Sequence, residues 1–85
     1  ETEAVQVLVY PNPADQMVNV QFGNSVSGQL QIADVQGKFR ESIPFNGREI
    51  LNLSVNYLEP GMYVLFFKFD NGFRLTKKLS ITGRS

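Results

Sequence analysis

The chain contains no cysteine and no histidine, and its eight basic and eight acidic residues cancel. Without cysteine there is no disulfide framework, no zinc-thiolate site and no thiol nucleophile. Without histidine, Ser25, Ser27, Ser42, Ser54 and Ser80 lack the usual general base, and none sits in a nucleophile-elbow motif. Like charges are adjacent only at Lys77-Lys78, so the chain has no basic footprint for nucleic acid or anionic lipid. The longest apolar run, Met62 to Phe67, is short of the roughly 18 residues that suggest a membrane-spanning helix. Residues 1–4 carry neither a basic nor an apolar leader segment, so if the protein is exported, that signal is expected upstream on a longer precursor. The seven glycines are spread about one per turn and form no phosphate-binding loop. No two carboxylates are spaced for glycoside hydrolysis. Asn12 and Asp15, the nearest approach to a calcium site, match no calcium-loop pattern. The expectation is a chain that is not an enzyme and holds no cofactor or metal.

What is present fits one small domain of 85 residues. With 42% apolar residues, seven Phe and three Tyr, it is too hydrophobic for a disordered tail. Helical spacing fits poorly, whereas two-residue alternation recurs at Val5, Val7 and Val9, at Val18, Val20 and Phe22, and at Leu30 and Ile32. Six turn clusters separate the apolar runs: Pro11-Asn12-Pro13, Gly23-Asn24-Ser25, Asp34 to Gly37, Asn46-Gly47, Glu59-Pro60-Gly61 and Asp70-Asn71-Gly72. They predict seven strands near 5–10, 17–22, 28–34, 38–44, 49–53, 61–69 and 72–81. Such strands pack as a small immunoglobulin-like antiparallel β-sandwich at 5–81, with residues 1–4 ending a linker and 82–85 forming a tail.

Several turns have local physical reasons. Asp34 is placed to bond the turn backbone, with Gly37 in the left-handed position after a type I turn. Asn71-Gly72 suits a two-residue hairpin turn that fixes the register of the last two strands. Pro60-Gly61 suits the centre of a type II turn, and Pro11 and Pro13 fix φ on both sides of Asn12, where either X-Pro bond is able to be cis. From Met62 to Phe69 both strand faces are apolar, which means either a strand covered on both sides or one with an open face for a partner. Phe66-Phe67-Lys68-Phe69 and Phe73-Arg74 interleave aromatic and basic side chains in a manner suited to stacking a sugar.

Five segments in order carry a family likeness: Val9-Tyr10-Pro11-Asn12-Pro13-Ala14; Leu30 to Gly37; Ile50-Leu51-Asn52-Leu53-Ser54; Leu58-Glu59-Pro60-Gly61-Met62-Tyr63; and Lys77-Lys78-Leu79-Ser80-Ile81. Together they resemble the C-terminal sorting domain of type IX secretion system (Por secretion system) cargo in Bacteroidetes. The L-x-x-G-x-Y match is the most specific, and the extra Thr82-Gly83-Arg84-Ser85 departs from members that stop sooner. The residues carrying the resemblance are Pro11, Asn12, Pro13, Asp34, Gly37, Leu58, Gly61, Tyr63, Gly72, Lys77, Lys78 and Leu79.

The resemblance implies a cargo domain covalently attached on the N-terminal side and recognition in the periplasm. It further implies passage across the outer membrane by the secretion machinery to the cell surface or exterior. A surface sortase would then cut near residues 1–4 and join the cargo to an anionic lipopolysaccharide. The terminal hairpin, 61–81, is expected to be the recognised surface, through its second apolar face, its strand edge and Lys77-Lys78. Two alternatives stand beside it: a carbohydrate-binding or adhesion sandwich of a secreted protein, and a weak homodimer formed by the apolar hairpin face.

Overall fold

The computed structural model describes residues 5–82, which form antiparallel strands and no helix: β1 (Val7–Tyr10), β2 (Met17–Asp34), β3 (Phe39–Ser54), β4 (Gly61–Phe69) and β5 (Arg74–Ile81). The expected all-β fold is there, but with five strands rather than seven. The stretches 17–22 and 28–34 run on as β2, and 38–44 and 49–53 run on as β3. Gly23-Asn24-Ser25 and Asn46-Gly47 bend these strands instead of ending them. At the bend the β2–β3 register shifts between Gln21 and Val26 and again between Val26 and Gly28. Such a bulge adds residues to one strand and turns it without breaking the ladder. The Ser27 hydroxyl holds the place, donating to Asn46 Oδ1 at 2.9 Å and accepting the Gly47 amide N–H at 2.9 Å.

Straight, the 18 residues of β2 would span about 59 Å at roughly 3.3 Å per residue, more than the 46 Å longest dimension of the molecule. The bend lets β2 and β3 serve two layers. In the first, residues 19–22 of β2 lie between β1 and residues 50–52 of β3. In the second, residues 28–34 lie between residues 39–45 of β3 and β4, with β5 beyond β4. The short connection 55–60 carries the chain from β3 in the first layer to β4 in the second, a reach that requires the layers to lie face to face. The result is the two-layer sandwich predicted from alternation.

The alternating apolar positions fill the space between the layers. Val7, Val18, Val20 and Leu51 meet Leu30, Ile32, Leu65, Phe67 and Leu79 in one buried cluster, with Ala14, Val55 and Leu58 closing its end. Phe22 sits at the centre of an aromatic group, 5.0 Å from Phe45 and 5.8 Å from Phe69 between ring centroids, spacings at which aromatic pairs attract beyond their area burial. Gly28 permits a close strand approach: a Cβ there would lie 2.3 Å from the Lys68 carbonyl oxygen.

Both tight hairpins use one turn. Gly37 N–H donates to Asp34 O, and Gly72 N–H to Phe69 O, each at 2.9 Å, with φ of 87° and 95° at the two glycines. The Asp34 turn is the one predicted, and its Oδ1 accepts the amides of Gln36 and Lys38. The second differs from the expected two-residue turn. Asp70 and Asn71 are its centre, Gly72 takes the left-handed position, and Asn71 Oδ1 accepts the Phe73 amide. The linker expected at 1–4 and residues 83–85 of the expected tail lie outside the described residues.

Candidate recognition surface

Pro11-Asn12-Pro13 is more than a corner. Both prolines follow cis peptide bonds, and the Asn12 side chain lies along the outer edge of β5 as a short piece of strand would. Its Nδ2 donates to the Lys78 carbonyl at 3.0 Å and its Oδ1 accepts the Ser80 amide at 3.0 Å. The next backbone groups continue the pairing: Ala14 N–H donates to Ser80 O and Thr82 N–H to Ala14 O, each at 2.8 Å. Ala14, fully buried, forms a parallel bridge with Ile81. The edge of β5 from 78 to 82, expected to be open, is therefore closed by residues 12–14. Asn12 has both polar atoms of its amide committed there.

Leu58-Glu59-Pro60-Gly61-Met62-Tyr63 makes the corner at which the chain changes layer. Its backbone turn lies earlier than the expected Pro60-Gly61 centre, with Leu58 N–H donating to Val55 O, and Gly61 already opens β4. Leu58 and Tyr63 are buried, and the Tyr63 hydroxyl donates to the Glu59 carbonyl at 2.6 Å, which satisfies the phenol and ties the corner together. Beside it, the Tyr57 hydroxyl donates to a Glu41 carboxylate oxygen. Partial burial, reinforced by that carboxylate, pushes the Tyr57 phenol well above its ordinary value.

The structure gathers most of the singled-out residues at one end. Asp34 pairs with Tyr63, Gly61 with Ile81, Tyr63 with Leu79, and Asn12 with Lys78 and Ser80. The Asp34–Gly37 turn and the Pro60–Tyr63 corner line one shallow groove there, where Arg40 stands 3.8 Å from Asp34. Gly72 lies apart, at the opposite end of β4. Lys77 and Lys78 also separate: Lys77 alternates onto the face of Leu75 and Leu79, and Lys78 onto that of Thr76 and Ser80. They do not make one cationic patch.

The two apolar faces of β4 have different fates. Tyr63, Leu65, Phe67 and Phe69 are core, whereas Met62 and Phe66 are 44% and 38% exposed. Phe66 meets Phe39 at 6.0 Å in a tilted contact, and the two border an open groove of about 480 Å³ shared with Gln31, Arg74, Leu75 and Thr76. The run Phe66-Phe67-Lys68-Phe69 is thus split, with only Phe66 and Lys68 outside. Phe39 and the bonds of Asn12 escaped sequence reasoning, because Phe39 follows a turn without periodic context and the partners of Asn12 lie 66 and 68 positions away.

The described residues form a small all-β sandwich of turns, corners and one open sheet face, whose early Pro-Asn-Pro segment closes the edge of β5. The description "Secretion system C-terminal sorting domain" matches residues 8–82, and the chain belongs to that family. Membership makes it a C-terminal sorting signal of type IX secretion and implies an attached cargo, a secretion machinery, and export by way of the periplasm to the cell surface or exterior. Among solved structures, the crystal structure of CopC from Methylosinus trichosporium OB3b is similar at 17% identity with a TM-score of 0.61, covering 94% of this chain and 97% of that one, a likeness of fold. No curated protein matches. No helix among the described residues is long and apolar enough to cross a membrane.

Proposed function

We propose that the end of the sandwich where Asn12, Asp34, Gly61, Tyr63 and Lys78 meet, together with the open face of β4 and β5, is what the outer-membrane machinery reads on a folded cargo. The observation that carries this reading is the convergence of residues far apart in sequence on the terminal hairpin, through the Asn12 bonds to β5 and the pairing of Asp34 with Tyr63. A receptor that touches this end tests whether the whole domain has folded. After passage, a surface sortase cuts in the linker that ends at residues 1–4, and the cargo is joined to anionic lipopolysaccharide. The glycan-binding alternative has less support, because Phe39 and Phe66 are inclined at 67° and offer no common plane on which a sugar ring would lie.

The test is a periplasm-directed fluorescent reporter fused to residues 1–85 in a Bacteroidetes host, with and without a working type IX system. Surface or medium fluorescence in the competent strain alone is expected. Periplasmic retention in both strains, with the domain folded, would overturn the assignment. Mass spectrometry of the surface-borne reporter reports the cut and the attached lipid.

A further inference from the structure

The outer face of the second layer is basic although the chain as a whole is neutral. Its paired strand positions present Phe39, Gln31, Phe66, Lys68, Arg74, Thr76 and Lys78 and no carboxylate, while Asp70, in the turn that follows β4, shares an open groove with Lys68 at the far end of the face from Lys78. Lys68 and Arg74 sit directly opposite each other across the β4–β5 ladder, an arrangement that costs stability unless something negative shares it. The same even-numbered residues of β5 direct their backbone groups outward, as the bonds from Ser80 and Lys78 to residues 12–14 show. Those bonds begin at the Lys78 carbonyl. From Arg74 to the Lys78 amide, the edge has no strand partner among the described residues.

We propose that this stretch, residues 74–78, receives an extended acidic peptide segment of a protein partner as an added strand, with carboxylates four residues apart set opposite Arg74 and Lys78 and an apolar side chain between them opposite Thr76, beside Phe66. The inference rests on the sorting reading and names the partner's chemistry. In an added strand, residues paired with Arg74, Thr76 and Lys78 place their side chains on the same face, at cross-strand contact distance. Backbone pairing supplies affinity and the carboxylates supply register and selectivity. The groove bordered by Phe39, Phe66 and Arg74 adjoins this edge. A second copy is the wrong occupant: two β5 strands paired about Thr76 would set Arg74 of each opposite Lys78 of the other, a repulsion that discourages self-assembly through this edge.

The test uses the full chain, isotope-labelled, titrated with the capped peptide Thr-Asp-Thr-Val-Thr-Asp-Thr and with its counterpart in which both Asp are Asn. Amide shifts confined to 74–78 and the rings of Phe39 and Phe66 are expected, with the Asn peptide about fivefold weaker and the difference shrinking in high salt. Equal binding of the two peptides, or shifts elsewhere, would overturn the proposal. Arg74→Glu with Lys78→Glu should reverse the preference toward a Lys-bearing peptide, and Thr76→Pro, which removes an outward N–H from an edge strand, should abolish binding with the charges intact. Both variants are compared with wild type by thermal melt. In the reporter assay, export of wild type that is unaffected in both folded variants would overturn this inference and leave the sorting role standing. Failure of the wild-type fusion to leave the periplasm would instead count against the sorting role itself.

Discussion

Asn12 is the residue on which the two ends of the described chain depend. Its side chain makes two of the bonds that close the edge of β5, and each ordinarily contributes about 1 kcal/mol. Asn12→Ala is therefore expected to lower unfolding stability by about 1–2 kcal/mol, with faster hydrogen exchange at the Ser80 amide as the local signature. A loss of stability without a change at Ser80 would assign the effect elsewhere. Tyr57 gives a pH signature. Its folded-state pKa is raised, by partial burial first and by Glu41 second. The native state then holds a proton that the unfolded state releases near the ordinary value of 10.0. Stability attributable to this group is complete below that pH and falls as pH rises above it. Tyr57→Phe should flatten that alkaline limb, measured by urea midpoint between pH 8 and 11. At this scale the sequence was readable wherever partners are local: Asp34 bonds its own turn as expected, while Asn12 gave no hint because its partners arrive from the other end of the chain.

Among the elements, β4 separates two kinds of apolar side chain that composition treats alike. Leu65, fully buried, is expected to cost about 2–5 kcal/mol when cut to Ala. Phe66, one position on but facing out, should cost about 1 kcal/mol or less as Phe66→Ser. Comparable losses at both positions would show that the outer face is packed. The alternation of the apolar runs was enough to place their inner faces, because a period of two is a property of the strand itself. The long strands were not readable. Gly23-Asn24-Ser25 and Asn46-Gly47 have the composition of turns, and whether such a stretch reverses the chain or bends it depends on which strands pair on either side. Here β3 follows β2 through the bend and continues the ladder. The motif residues were likewise visible singly, yet their gathering at one end follows from the pairing of β2 with β4, of β4 with β5, and of Asn12 with β5, which no local pattern records.

At the scale of the molecule, β2 belongs to both layers and contributes Val18, Val20 and Phe22 to one side of the core and Leu30 and Ile32 to the other. Neither layer has a core without the other, so unfolding should be a single transition. Far-ultraviolet dichroism and tyrosine fluorescence are expected to give coincident urea curves, and two separated midpoints would show that the layers unfold independently. The union of residues 12–14 with 78–82 extends this dependence over the chain's length. Polypeptide is made from its amino end, so Asn12 and Ala14 wait until the very last strand exists before they have anything to hold. A chain terminated early, before Ser80, carries every preceding strand and still fails to present a closed end. If a receptor reads that end, as proposed, it would admit only cargo whose synthesis had run on through β5.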